Sequence, residues 1–342
     1  MATEEVFFSS VFDVADAYEK GFIGAYAPTP AAIAEFRGAI QDSGGTPDGS
    51  MACQQYGLTN SGKGKLSCPF MEILKLYPDS LPGPAQGRGD CVSHSSKNAG
   101  LGTMCCDVTS GKPDPVSGQV ESAPEVSDAG RLAGVLSTEA IYNWRRHGGD
   151  GWSCVEAARV MLKESGLWLR KNYPEINVDF TQYSARNAGI YGSRTPPESW
   201  LKIGREHLVQ TATEVEDYDT LRDLLANGYC VSSCGSEGFS NERNEHGVSS
   251  RRGSWAHAMA YLAVDDRPEI YELYDEPLIM VQNSWGIWND GNRTIYKTNI
   301  QIPHGAFWAR WSDIKNRYMI AFSGVNGWPP KKLPNYGALG RI

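Results

Sequence analysis

Hydrophobic positions recur along this chain with a helical period first and a strand period later. Between Gly151 and Gly166, Cys154, Ala158, Met161 and Leu162 share one face, while Glu156, Arg159 and Lys163 share the other. That recurrence predicts an amphipathic helix, with Gly166 as its stop. Tyr218 to Asn227 repeats the theme, with Leu221, Leu224 and Leu225 inward and Asn227-Gly228 as terminator. Thr29 followed by Pro30 marks another helix start, and Pro69 to Tyr77 predicts a further short helix. Beyond Gly228 the texture changes. The runs 229–234, 257–264 and 278–283 are short and strand-like. Helices mostly first and strands mostly last predict an α+β protein with two lobes.

Glycine and proline at Gly44, Gly45, Pro47, Gly49, Gly62 and Gly64 break up the beginning of the chain. The first 85 residues therefore read as an extended arm carrying a few short helices. A second polar stretch, Thr109 to Gly130, reads as a surface loop. At 342 residues the chain is long enough to bury a large core.

Charge narrows the partners. With 32 basic and 40 acidic residues the net charge is −8, which repels phosphate backbones and argues against nucleic acid. No apolar run approaches the roughly 18 residues that span a bilayer. The acidic opening Met1-Ala2-Thr3-Glu4-Glu5 does not resemble a secretory signal, so a cytoplasmic or particle-associated location is expected. The eight cysteines form no disulfide framework and are expected to be reduced. Neither Cys230 and Cys234 nor the histidines have the spacing of a metal cage, so no metal and no cofactor are expected.

Three segments carry residues suited to chemistry. Gln86-Gly-Arg-Gly-Asp-Cys91 is a glycine-rich turn leading into a helix that starts at or just after Asp90. A cysteine there feels the positive end of the helix dipole, which favours its thiolate. Asp90 opposes that thiolate by charge, although as an N-cap it would fix the turn. His257 opens a strand with one face committed to a core. Gln282-Asn283-Ser-Trp285-Gly follows another strand. Alone, each has an ordinary structural explanation. Together they supply a nucleophile, a base and an orienting amide in the order Cys91, His257, Asn283. Gln86 adds an amide donor suited to an oxyanion. His94, one turn into the same helix, lacks an evident orienting partner and would approach from along the helix axis.

These segments resemble the papain family of cysteine peptidases. Cys91 falls where the family's nucleophile sits, His257-Ala258 at its histidine, Asn283-Ser284-Trp285-Gly286 at its asparagine motif, and Gln86 at its oxyanion glutamine. The resemblance implies that Trp285 shields the Asn283–His257 hydrogen bond. It also implies that Gly149 and Gly151, in Gly148-Gly-Asp-Gly-Trp152, bind extended substrate as an added strand. It covers residues 86 to 327. The chain then divides into an arm (1–85), a papain-like domain (86–330, helical to 227 and β from 228) and a tail (331–342).

His257 follows Cys91 by 166 residues and Asn283 follows it by 192, against about 130–150 in papain-like enzymes. The excess is expected in the Thr109–Gly130 loop and the Asp266–Glu276 stretch. Val92 follows the nucleophile where the family usually has Trp, the family's nearby disulfide cysteines are absent, and Gln86 lies five residues before Cys91, one fewer than usual. The arm lacks the long helices of an inhibitory prosegment. The variant pattern, with Ile302-Pro-His-Gly-Ala-Phe-Trp308, looks more like papain-fold proteins of bacteriophages and some bacteria. The resemblance implies a thiol peptidase acting on peptide or protein substrates. The alternative is a catalytically silent papain-fold protein of a phage particle, with virion partners bound through the arm. A cell-wall peptidase with a Cys-His pair is a third reading, disfavoured by the asparagine motif.

Overall fold

Both faces of the central strands are buried, and their alternation shows it. Ala258, Ala260 and Leu262 belong to one hydrophobic cluster while Met259, Tyr261 and Val264 belong to another. Met280 and Val281, or Ile320 and Ala321, divide the same way, as expected for a sheet packed on two sides. The structure, a computed structural model, describes residues 24–110, 135–206, 208–331 and 333–339.

In chain order the strands are β1 Ala25–Tyr26, β2 Leu66–Ser67, β3 Trp152–Ser153, β4 Asn172–Tyr173, β5 Val178–Asp179, β6 Thr211–Glu214, β7 Val231–Arg243, β8 Ser249–Asp265, β9 Leu278–Gln282, β10 Asp290–Gly291, β11 Ala306–Arg310 and β12 Tyr318–Ser323. The helices are α1 Pro30–Asp42, α2 Gly49–Gln55, α3 Pro69–Leu76, α4 Cys91–Thr109, α5 Thr138–Tyr142, α6 Cys154–Lys163, α7 Ala185–Gly192, α8 Glu198–Glu206, α9 Tyr218–Ala226, α10 Pro268–Tyr274, α11 Trp311–Ile314 and α12 Tyr336–Leu339. The main sheet runs β11-β9-β8-β7-β12-β6, antiparallel at each step, with β2 on β8 and β10 on β7. Helices α4 to α7 cluster against one face, giving an α+β fold of a helical lobe and a β lobe.

Helix α4 joins the lobes, packing along β7, β8 and β12. It is buried on every side, so its apolar residues form no stripe. Gly102 permits its close approach: a Cβ there would lie 2.5 Å from the Cys230 sulfur. No helix among the described residues is long and apolar enough to cross a membrane.

The described part of the first 85 residues carries short helices, as its start signals predict, and they pack onto the rest of the molecule rather than extending from it. Thr29 caps α1 by accepting the Ala32 N–H, and Phe36 and Ile40 enter the main core beside α6. Asp48 caps α2, and α3 packs against α4. Tight approaches explain the glycines instead: a Cβ on Gly49 would meet the Glu214 carbonyl at 2.4 Å, and one on Gly62 would meet the Arg222 carbonyl at 2.9 Å. Residues 111–130 of the expected surface loop lie outside the described residues, whereas the Asp266–Glu276 stretch contains α10. The tail is docked too, with Lys331 paired to buried Asp107 at 2.9 Å and the Tyr336 hydroxyl bonded to Glu72.

Candidate active site

Cys91 is the first residue of α4 and the turn before it is held from two directions. Gly87 N–H donates to the Tyr183 hydroxyl at 2.9 Å, and Gly89 N–H donates to the Asp150 carboxylate at 2.8 Å. A Cβ on Gly89 would lie 2.8 Å from the Gly151 nitrogen, so the turn and the glycine stretch touch backbone to backbone. Asp150 also accepts from Tyr142 and from Arg88, at 3.1 Å for the latter. Burial alone would raise its carboxyl, but the Tyr142 hydrogen bond and the Arg88 charge outweigh it and hold it below its usual range.

Asp90 occupies the N-cap of α4 without capping it through its side chain. Instead its carboxyl accepts the Tyr183 hydroxyl at 2.7 Å. Burial pushes it up to about 8, against that hydrogen bond. At neutral pH the group is thus mostly uncharged, and the repulsion expected against a Cys91 thiolate is largely absent. His94 Nε2 lies 3.7 Å from the same carboxyl, and its ring packs edge-on to Tyr183 at 5.2 Å. Burial drives its imidazole well down, aided by the charges of Lys97, Arg170 and His257.

His257 lies in β8 opposite Gly235 of β7, and Asn283 directly follows β9, the next strand. His257 Nε2 and Asn283 Oδ1 are 2.7 Å apart. That same oxygen accepts the Ser284 backbone N–H at 2.7 Å. A backbone N–H can only donate, so the atom facing the ring is an acceptor. Nε2 therefore carries the proton in the neutral ring, and Nδ1 carries the lone pair. Trp285 covers the ring, with centroids 4.8 Å apart, and is itself covered by Trp255 at 4.7 Å and Trp288 at 5.3 Å. Burial pushes the imidazole down to about 3, the Asn283 bond works against this, and the Arg317 charge adds to it.

Gln86 is tied to the asparagine motif. Its N–H donates to the Ser284 carbonyl at 2.8 Å, the Ser284 hydroxyl donates to its Oε1, and its Nε2 donates to the Arg88 carbonyl at 2.8 Å. The turn before Cys91 and the segment after β9 are thereby one connected unit. Gly149 is exposed and Gly151 is buried at positive φ, 78°. The strand edge itself begins one residue later, at Trp152.

That edge is occupied by the chain itself. β1 pairs with β3 in parallel, Ala25 opposite Trp152 and Tyr26 opposite Ser153. Trp152 N–H donates to the Gly24 carbonyl at 3.1 Å, and Gly24 N–H donates to the carbonyl of Ala256, the neighbour of His257, also at 3.1 Å. The Tyr26 hydroxyl donates to the Asp150 carbonyl. Residues 24–26 thus bridge the glycine segment and the histidine strand, and both Cys91 and His257 have 0 % exposure. Sequence reasoning missed this strap, because a two-residue strand has no periodicity to read. It also missed Asp150, Tyr183 and Arg317, which act through contacts with residues far along the chain.

No family model and no curated protein sequence matches this chain. Among solved structures it is similar to xylellain, a cysteine protease from Xylella fastidiosa, at 16 % identity over 90 % of this chain and 92 % of that one, with a TM-score of 0.44. It is also similar to the clostridial cysteine protease Cwp84 after propeptide cleavage, at 18 % identity over 70 % and 54 % of the respective chains, TM-score 0.39. The ragweed pollen cysteine protease Amb a 11 in its proform is 12 % identical over 94 % and 96 %, TM-score 0.40. Likenesses of this depth carry no argument for the activity, so the reading below stands on the residues and their geometry.

Proposed function

We propose that this chain is a papain-like cysteine peptidase that hydrolyses peptide bonds through an acyl-enzyme on Cys91. The observation that carries the reading is the doubly fixed Asn283 oxygen, which leaves one tautomer for His257 under the Trp285 ring. In the proposed sequence Nδ1 takes the Cys91 proton and the thiolate sulfur attacks the scissile carbonyl carbon. Gln86 donates to the oxyanion. The C–N bond then breaks, the leaving amine takes the proton from Nδ1, and a thioester remains on Cys91. Water, losing a proton to His257, attacks the thioester carbonyl, releasing the acid and the thiol. Gly149 and Gly151, with the β3 edge, are the proposed seat of extended substrate, and Trp285 keeps water from the His257–Asn283 bond. No cofactor enters this scheme.

Residues 24–26 lie where such a substrate would approach, so they must leave before catalysis. The test is incubation of the full chain, and of a Gly24→Pro variant that lacks the N–H given to Ala256, with a mixed peptide library. Thioester on Cys91 detected by mass spectrometry, together with cleavage lost in Cys91→Ala, is the expected result. Absence of both in both proteins defeats the reading.

The covered site favours a second reading, a catalytically silent interaction protein of the same fold, belonging to a phage particle. Cys91 that stays inert after the strap is loosened is its signature.

A further inference from the structure

Arg317 sits in the turn between α11 and β12, yet its guanidinium is fully buried against the back of the histidine strand. Nη2 donates to the His257 carbonyl at 2.6 Å. Nη1 donates to the Glu237 carbonyl at 3.2 Å and to its carboxylate at 3.3 Å, and Nε donates to the Ser233 hydroxyl at 3.3 Å. The fork thus grips β7 on both sides of Gly235, the residue paired with His257.

The sheet is shaped to admit this group. β7 slips register against β8 between Gly235 and Glu237. A Cβ on Gly235 would lie 2.5 Å from the Glu237 carboxylate and 2.7 Å from Arg317 Cγ, so only glycine leaves room for the pair. Burying an ion pair is a poor route to stability, since apolar residues of similar volume often serve as well or better. A bulge, a glycine and a buried fork converging on the backbone of one histidine call for another role.

We propose that Arg317 and Glu237 are a positioning pair for His257: the fork fixes the backbone that carries the imidazole, and the charge of the pair sets the field at the ring. The proposal rests on the peptidase reading for its consequence, though not for its geometry. The charged and titratable groups that act on the ring are Arg317, from the turn before β12, and His94 of α4; Glu237 of β7 is the counter-ion of Arg317, and Asn283, Trp285 and Trp255 are uncharged. The Arg317 cation disfavours imidazolium, and Glu237 is the counter-ion that balances that cation in its buried site. A neutral ring with a lone pair on Nδ1 is the form that can accept the Cys91 proton.

The test follows the His257 ring by NMR titration in the full chain, alongside the pH profile of Cys91 alkylation by iodoacetamide. Arg317→Met alone strands a buried Glu237 and can fail to fold, so Arg317→Met/Glu237→Met is the main variant and Arg317→Lys the conservative one. In the folded double variant the expected imidazolium population at a given pH rises about three- to tenfold, the equivalent of half to one pKa unit. The acid limb of the alkylation profile moves upward by the same amount, and Arg317→Lys, which keeps the charge, stays nearer the wild type. A double variant whose ring titration is unchanged overturns the proposal, whatever its alkylation rate. A titration that moves while Cys91 remains inert even with Gly24→Pro added leaves the pair standing and defeats the peptidase reading instead.

Discussion

His257 is held by its neighbours more than by its own sequence context. With Asn283 taking Nε2–H, the ring presents one nitrogen to a proton donor, and His257→Ala is expected to lower kcat/KM about 100- to 10,000-fold. Asn283→Ala keeps the base but frees the ring, so a smaller loss is expected, read from the same peptide assay. Asp90 gives a prediction with a sign. Its folded pKa, about 8, lies above the ordinary value of 3.8. The stability it contributes is therefore fully present below pH 4 and is lost as the pH rises through 8. Asp90→Asn accepts from Tyr183 in the same way but cannot ionise. Its Tm relative to wild type should rise between pH 5 and pH 8; a constant difference would mean that Asp90 is already ionised at pH 5.

Helix α4 is the element on which the site depends, because it carries Cys91 at one end and fills the space between the lobes. Gly102→Ala raises intrinsic helix propensity yet puts a Cβ against the Cys230 sulfur. Overpacking of that kind costs about 1–3 kcal/mol, more than the ~1 kcal/mol that alanine returns. Urea unfolding of the variant should show a net loss, and a gain would mean that α4 sits less tightly on the sheet. The elements readable in the sequence were those with local signals: α1 from Thr29-Pro30, α6 and α9 from amphipathic spacing and glycine stops, and the cores of β8 and β9 from apolar runs. The full length of α4 was not readable, because a helix buried all round shows no stripe. The outer ends of β7 and β8 were missed for the opposite reason, since Arg251 and Arg252 lie where the hairpin meets solvent. Cys91, His257, Asn283 and Gln86 could be named from three short motifs. Nothing near Arg317 or Gly24 announces that they reach the histidine strand.

Across the whole molecule the lobes meet over a site closed by the chain's own residues 24–26. The β1–β3 pairing, the Gly24–Ala256 hydrogen bond and the Tyr26 hydroxyl hold that strap, each hydrogen bond being worth about 0.5–1.5 kcal/mol. Ala25 is buried in the core, whereas Tyr26 is 37 % exposed and Gly24 carries no side chain, so the strap is anchored through its backbone and one small side chain. Opening it admits water, and since burial is the main force pushing His257 down, opening should also restore the proton affinity of the ring. Tyr26→Phe should raise Cys91 alkylation several-fold, and an unchanged rate would place the barrier to access elsewhere. The most direct test of the account is residue-mapped iodoacetamide labelling at pH 6 of the Gly24→Pro/Tyr26→Phe variant. The account predicts that Cys91 reacts faster than cysteine in solution and faster than the seven other buried cysteines, and that His257→Ala abolishes the difference. Cys91 reacting no faster than cysteine in solution would contradict it.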